Sequence, residues 1–246
     1  MSVDVELRGP AAWVTFNRPE AHNAMTFAMY DALVAACERI DADDDIRVMV
    51  LRGAGGRAFV AGTDIKQFTD FKTADDGVVY ERRIDVVLDR IEAVRKPTVA
   101  LVEGFAMGSG FAIAACCDLR VMTPSATFGM PIARTVGNCL SMANYARLAG
   151  ALGGPRIKDV IFRARPIEAD EALATGFVSA VVEDAEGWAA DLCTTLADHS
   201  PTTLWVTKEA LRRLRAAGLP DGDDLVREAY ASQDFRDRVA AFLAKR

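Results

Sequence analysis

The chain has 246 residues, 51% of them hydrophobic, with 29 basic against 35 acidic side chains and a formal net charge of −6. This is enough apolar material for one large α/β domain, or for one domain plus an appendage, and the acid excess without a basic stripe argues against a nucleic-acid partner. No apolar run reaches the roughly 18–20 residues that span a bilayer, and the first six residues lack the basic start and apolar middle of a secretion signal, so a cytoplasmic protein without a membrane partner is expected.

Residues 3–7 and 12–16 flank Arg8-Gly9-Pro10 and read as strand, turn and strand. A polar connection through Ala24 leads to a helix opened by Thr26, with Phe27, Met29, Leu33, Val34, Cys37 and Ile40 along one side. The acidic run 41–45 closes it as a solvated loop. Residues 47–51 form a near-continuous apolar strand, of the kind a parallel sheet covered on both faces requires. The glycines at 53, 55 and 56 do not make a G-x-G-x-x-G fingerprint, and no G-K-[ST] phosphate loop occurs, so nucleotide-fold motifs are absent. Asp64 reads as the cap of a short helix over 65–71. An amphipathic helix follows over 75–95, with Val79, Ile84, Val87, Leu88, Ile91 and Val94 inward and its charges on a wet face.

The stretch from Lys96 to Arg120 organises the rest. A β-branched strand over 98–102 breaks at Gly104, Gly108 and Gly110, then continues as an apolar, Ala-rich helix over 111–117. Such a turn leaves backbone N–H groups free at the positive end of a helix, a place for an anion or a carbonyl becoming one. Equally, the glycines could serve only to pack a helix closely on a sheet; the stretch alone does not choose. Beyond it come a strand over 119–122, a loop over 127–137 and a helix from Asn138 to Leu148. Further helical segments lie around 150–154, and a last strand covers 177–182. From 185 onward only helices are expected, broken at Pro201 and over 218–222. Three passes of strand then helix, followed by helices alone, suggest a sheet-based core over 1–184 with a helical extension over 185–246.

Cys37, Cys116, Cys117, Cys139 and Cys193 show no C-x-x-C spacing and read as buried free thiols of a reducing compartment. With only His22 and His199, far apart, neither a metal site nor a histidine-activated nucleophile is expected.

Taken in order, the motifs resemble the crotonase (enoyl-CoA hydratase/isomerase) superfamily. The pieces are Asn17-Arg18-Pro19 with Asn23-Ala24, then Phe59-x-Ala61-Gly62-x-Asp64-Ile65. Lys96-Pro97 through Gly104, Gly108 and Gly110 to Cys117-Asp118 follows, then Ala126-x-Phe128-Gly129-x-Pro131 and finally Ala169-x-Glu171-Ala172 through Gly176-Phe177-Val178. The resemblance implies an α/β, ClpP/crotonase-like superhelix of repeated ββα units. It also implies that the helices after 185 build a homotrimer, or a dimer of trimers. The ligand would be a coenzyme A thioester, entering as substrate with no permanently bound cofactor. By resemblance the backbone N–H groups of Thr63 and Ser109 hold the thioester oxygen; donors of this kind are typically worth ~10²–10³ in rate each. Ala21, His22, Ala24, Ala61, Asp64, Ile65, Lys66, Gly108, Pro131 and Ile132 would contact the acyl chain or the coenzyme. Taken by itself, Lys66 reads as a solvated lysine.

The family's hydratases carry two glutamates, and here those positions hold Ala112 and either Ile132 or Ala133. Acid–base help is normally worth ~10²–10⁴, so hydration of a 2-enoyl thioester is not expected. Double-bond isomerisation, decarboxylation or thioester hydrolysis fit better; a non-catalytic acyl-CoA binder and an oligomeric scaffold are the other readings. Substitutes for the lost acids could come from Arg134, Thr135, Asn138 or Ser141, or from Asp70, Tyr80 and Glu81 beside the acyl pocket. Arg134 could instead form a structural pair with Asp118. Cys139 and Glu103 read as structural, and Ser109 lacks the G-x-S-x-G context of a hydrolase.

Overall fold

The computed structural model describes residues 2–217 and 223–244. Strands β1 (Ser2–Arg8) and β2 (Ala11–Asn17) form an antiparallel hairpin that leads to helix α1 (Phe27–Ala42), capped by the Thr26 hydroxyl. The pattern then repeats: β3 (Val48–Gly53), β4 (Ala58–Val60) and α2 (Ala74–Glu92); β5 (Thr98–Val102), β6 (Phe105–Met107) and α3 (Ser109–Cys116); β7 (Leu119–Met122), β8 (Thr127–Gly129) and α4 (Ile132–Thr135). In the last three units the first strand joins one sheet and the second joins another. The larger sheet runs β1-β2-β3-β5-β7-β10, with β10 at Ala180–Val181, and is parallel from β2 onward. The smaller runs β4-β6-β8-β9, with β9 at Pro166–Ile167.

Alternation along the larger sheet divides two apolar cores, since successive side chains point to opposite faces. Val14, Phe16, Met49, Leu51, Ala100 and Val102 face α1, α2 and α3, whereas Trp13, Val48, Val50, Val99 and Leu101 face α8 (Ala185–Asp198) through Ala185, Ala189, Cys193 and Leu196. Between them come α5 (Met142–Leu152), α6 (Gly154–Phe162) and α7 (Ala169–Ala174). The chain closes with α9 (Pro201–Ala216), α10 (Asp223–Ala231) and α11 (Gln233–Ala244). Among the described residues no helix is long and apolar enough to cross a membrane.

Several sequence expectations need correction. The second strands β4, β6 and β8 are only three residues each, too short to show a period, so four ββα passes read as three of strand and helix. The stretch 127–137 is not a plain loop but contains β8 and α4. The helix after it starts at Met142, because the Ser141 hydroxyl accepts from the Asn144 amide and caps it there rather than at Asn138. The final strand shrinks to two residues. On α2 Val79 points out, 65% exposed, while Glu81 and Glu92 are buried, so the inward stripe carries charges that had been assigned to a wet face. The break over 218–222 lies outside the described residues.

Candidate active site

A cavity of about 200 Å³ opens where the ends of several elements meet. One wall is Ala61 to Ile65, following β4; the next is Met107, Gly108 and Ser109, where β6 turns into α3. Gly108 makes that turn at φ 56° and ψ −119°, a conformation that costs a side-chain-bearing residue dearly, and it sets Ser109 as the first residue of α3. The two walls touch: a Cβ built on Gly108 would lie 3.6 Å from the Gly62 Cα, and one on Gly62 would lie 3.4 Å from the Met107 carbonyl. The amides of Thr63 and Ser109 have no hydrogen-bond partner among the described residues. Ser109 owes this to its place, because the first N–H groups of a helix have no intrahelical acceptor.

Side chains lock the seam. The Thr63 hydroxyl lies 2.7 Å from the Tyr30 hydroxyl and 2.7 Å from that of Tyr80. Burial pushes Tyr30 up to about 12 and Tyr80 well above its ordinary value, so both stay neutral around pH 7. The Ser109 Oγ is buried beside the Tyr30 hydroxyl without a hydrogen bond of good geometry.

The residues proposed from the sequence separate into two groups. Ala24, Ala61, Thr63, Asp64, Ile65, Gly108, Ser109, Pro131 and Ile132 all line the cavity. Ala21, His22 and Lys66 stand outside its lining: His22 is exposed and stacks on Phe105, and Lys66 is exposed on the 3-10 turn that Asp64 caps. Asp64 also binds Arg18 at 2.7 Å. Ala112 is buried inside α3, and of the two alternatives for the second lost glutamate Ile132 is the buried, cavity-lining one while Ala133 is exposed. Arg134 and Asp70 are exposed and outside the lining, and Asp118 pairs with Lys208 at 2.8 Å rather than with Arg134.

The α2 side of the cavity holds groups that sequence reasoning had only touched. Glu81, 4% exposed, lines the cavity from α2, and among the described residues it and Asp64 make up the acids of the lining, which contains no Lys, Arg or His. Its Oε2 accepts from the Ser141 amide at 3.0 Å and its Oε1 from the Tyr230 hydroxyl at 2.8 Å; Tyr230 in turn accepts from Asn138 Nδ2 at 3.2 Å. Burial pushes the Glu81 carboxyl up to about 8, with the Asp85 charge adding to that and the Tyr230 and Ser141 donors opposing it. Gly77, one turn before Glu81, leaves the space Tyr230 fills: a Cβ there would lie 2.2 Å from the Tyr230 Cγ. Tyr30, Asn144 and Tyr230 were missed. Tyr230 is 149 positions from Glu81, and no local pattern announces such a pair.

Repeated ββα units wound about a cavity at the strand ends define a crotonase-fold protein. The comparisons place it within that class. The sequence profile of the enoyl-CoA hydratase/isomerase family matches residues 8–246. A short-chain-enoyl-CoA hydratase of Clostridium acetobutylicum is 32% identical over 251 residues, covering 100% of this chain and 95% of the relative. A probable enoyl-CoA hydratase of Mycobacterium bovis is 33% identical over 239 residues, 95% of this chain and 91% of the relative. Among solved structures, a methylmalonyl-CoA decarboxylase in complex with 2-nitronate-propionyl-CoA superposes with a TM-score of 0.90 at 28% identity, covering 99% of this chain and 96% of that one. An enoyl-CoA hydratase/carnithine racemase of Magnetospirillum magneticum gives 0.82 at 31% identity, with 99% and 93% covered. The chain belongs to the enoyl-CoA hydratase/isomerase family.

Proposed function

We propose that the cavity receives the acyl group of a coenzyme A thioester, that the amides of Thr63 and Ser109 hold its carbonyl oxygen, and that the reaction runs through the thioester enolate rather than through hydration. The observation that carries this reading is the pair of unpartnered amides on two touching loops that open onto one cavity. As a proton leaves Cα, charge moves onto the carbonyl oxygen. Fixed N–H donors stabilise that charge without reorganising, and losing one typically costs ~10²–10³ in rate. Hydration also needs a base for water and an acid for Cα, and Ala112 and Ile132 supply neither. Isomerisation of a 3-enoyl to a 2-enoyl thioester needs a single proton-transferring group, and we assign that reaction. Decarboxylation is a second reading, supported by the likeness to a methylmalonyl-CoA decarboxylase. Loss of CO₂ from a malonyl-type thioester leaves the same enolate with no base required.

In this reading Ala24, Ala61 and Ile65 border the acyl chamber, while Ala21, His22 and Lys66 meet the nucleotide part of the coenzyme outside it. The coenzyme arrives as part of the substrate. The partner in assembly is a second copy of this chain, in a homotrimer or a dimer of trimers. The exposed Val206, Leu211 and Leu214 of α9, which buries no residue, favour that occupant.

Ser109→Pro tests the reading. Proline is tolerated at the first position of a helix, so the substitution removes the N–H and keeps α3. With 3-butenoyl-CoA, followed by the conjugated-enoyl absorbance, kcat is expected to fall by ~10²–10³, while Ser109→Ala, which keeps the amide, stays near wild type. Equal turnover by Ser109→Pro and wild type overturns the proposal. Crotonyl-CoA hydration is expected at least ~100-fold below a two-glutamate enzyme. Faster turnover of methylmalonyl-CoA than of 3-butenoyl-CoA moves the assignment to decarboxylation.

A further inference from the structure

We propose that Glu81 is the proton-transferring group of this site: its carboxylate takes the Cα proton of the bound acyl group and returns it at Cγ. The inference rests on the enolate reading above and relocates the acid–base chemistry from the positions now held by Ala112 and Ile132 to the face of α2 that lines the cavity.

Geometry singles Glu81 out. It lines the same cavity as Thr63 and Ser109. The other carboxylate of the lining, Asp64, is committed to Arg18 and to the Lys66 amide. Along α2 the remaining inward acids are matched by cations: Asp85 meets Arg147 at 3.1 Å, and Glu92 meets Arg147 at 3.1 Å and Arg215 as well. Glu81 has no basic partner among the described residues and is held only by the Ser141 amide and the Tyr230 hydroxyl. A buried carboxyl without a cation is costly to keep, and such groups concentrate where chemistry uses them.

The step balances within the site. The Cα–H bond breaks, its proton joins a Glu81 oxygen, and its electron pair forms the Cα=C bond as the carbonyl electrons move onto the thioester oxygen between the two amides. Collapse of the dienolate draws a proton from the Glu81 carboxyl to Cγ, and a carboxyl proton that swaps with solvent before collapse labels Cα instead when it returns there. The double bond then lies between Cα and Cβ, and the carboxylate is regenerated without any co-reactant.

The charge state of Glu81 is set by what faces it. Asp85 lies one turn along its own helix, with Arg147 of α5 bound to Asp85; Tyr230 comes from α10, Tyr30 from α1, and Cys139 and Tyr145 from the segment entering α5 and from α5 itself. Burial dominates, so below about pH 8 most of the protein carries the neutral acid, and only the ionised fraction can take a proton. The initial proton abstraction therefore quickens by ~10-fold per pH unit from pH 6 and levels off beyond the carboxyl's titration.

The test measures 3-butenoyl-CoA isomerisation and deuterium incorporation at its Cα in heavy water, together with the Kd for acetoacetyl-CoA, in wild type and Glu81→Gln. Expected are isomerisation and exchange by wild type, a fall of ~10²–10⁴ in both rates for Glu81→Gln, and an unchanged Kd. The wild-type kcat is expected to climb between pH 6 and 8. Wild-type turnover matched by Glu81→Gln overturns the assignment and leaves the enolate reading standing. Failure of wild type to bind acetoacetyl-CoA overturns both, and binding without isomerisation or exchange overturns the role of Glu81. Should Glu81→Gln not fold, the wild-type profile decides, and a kcat flat from pH 6 to 8 overturns the proposal.

Discussion

Glu81 and Glu92 lie on one face of one helix and are almost equally buried, at 4% and 7% exposure, yet their surroundings are opposite. Glu92 sits in a cluster where Arg147, itself 3% exposed, also reaches Asp85 and Asp89, and where Arg215 of α9 adds a second guanidinium. Glu81 has a hydroxyl and an amide. The lesson is that burial of an acid says little until its partner is known. Matched by cations, an acid helps to tie α2, α5 and α9 together; matched only by neutral donors beside a cavity, it holds its proton more tightly, and its carboxylate is the stronger base.

The largest expected effect breaks the matched end. Arg147→Ala leaves Asp85, Asp89 and Glu92 without their shared cation, and loss of one partner from a buried pair typically costs ~3–5 kcal/mol. Urea unfolding at pH 7 measures it; a loss below ~1 kcal/mol would mean the cluster is relaxed by water or by Arg215 alone.

A smaller effect, of the opposite sign, is expected at the unmatched end. The Glu81 carboxyl is raised from 4.5 to about 8, so its stabilising contribution is complete below about pH 4.5 and is lost as pH rises through about 8. Glu81→Gln should therefore match wild type near pH 4.5 and exceed it by on the order of a few kcal/mol at pH 9. Stability curves that stay parallel across that window would show that Glu81 is ionised in the folded protein at neutral pH.

Tyr230→Phe refines the contrast with the smallest change. Removing the hydroxyl that Glu81 accepts from takes away a donor that favours the carboxylate, so the titration of Glu81 should move further up. The stability cost is about 1 kcal/mol near neutral pH, the worth of a typical hydrogen bond. A downward move of the pH profile would mean that Tyr230 opposes the carboxylate.

The amide side of the cavity was legible in the sequence because it is made of backbone, and backbone geometry is written locally. Gly62, Gly108 and Gly110 mark the turns, and the apolar run after them marks the helix whose first amide is free. The carboxyl side was not legible. An acid on an amphipathic helix defaults to the wet face, and only the interval from Glu81 to Ile84, Leu88 and Ile91 hints that it lies on the inward stripe. What makes it unusual is Tyr230, delivered by a helix far along the chain, and no periodicity carries that information. The smaller sheet was hidden for a related reason. Its three-residue strands are set by pairing with one another, not by their own pattern.

Tyr230 and Phe242 come late in the sequence, on α10 and α11; Phe242 lines the chamber, and Tyr230 holds Glu81 beside it. Stripped of those two helices, Glu81 would lose its hydroxyl partner and part of its cover. The acidity of this carboxyl is therefore set in part by a residue 149 positions further along the chain.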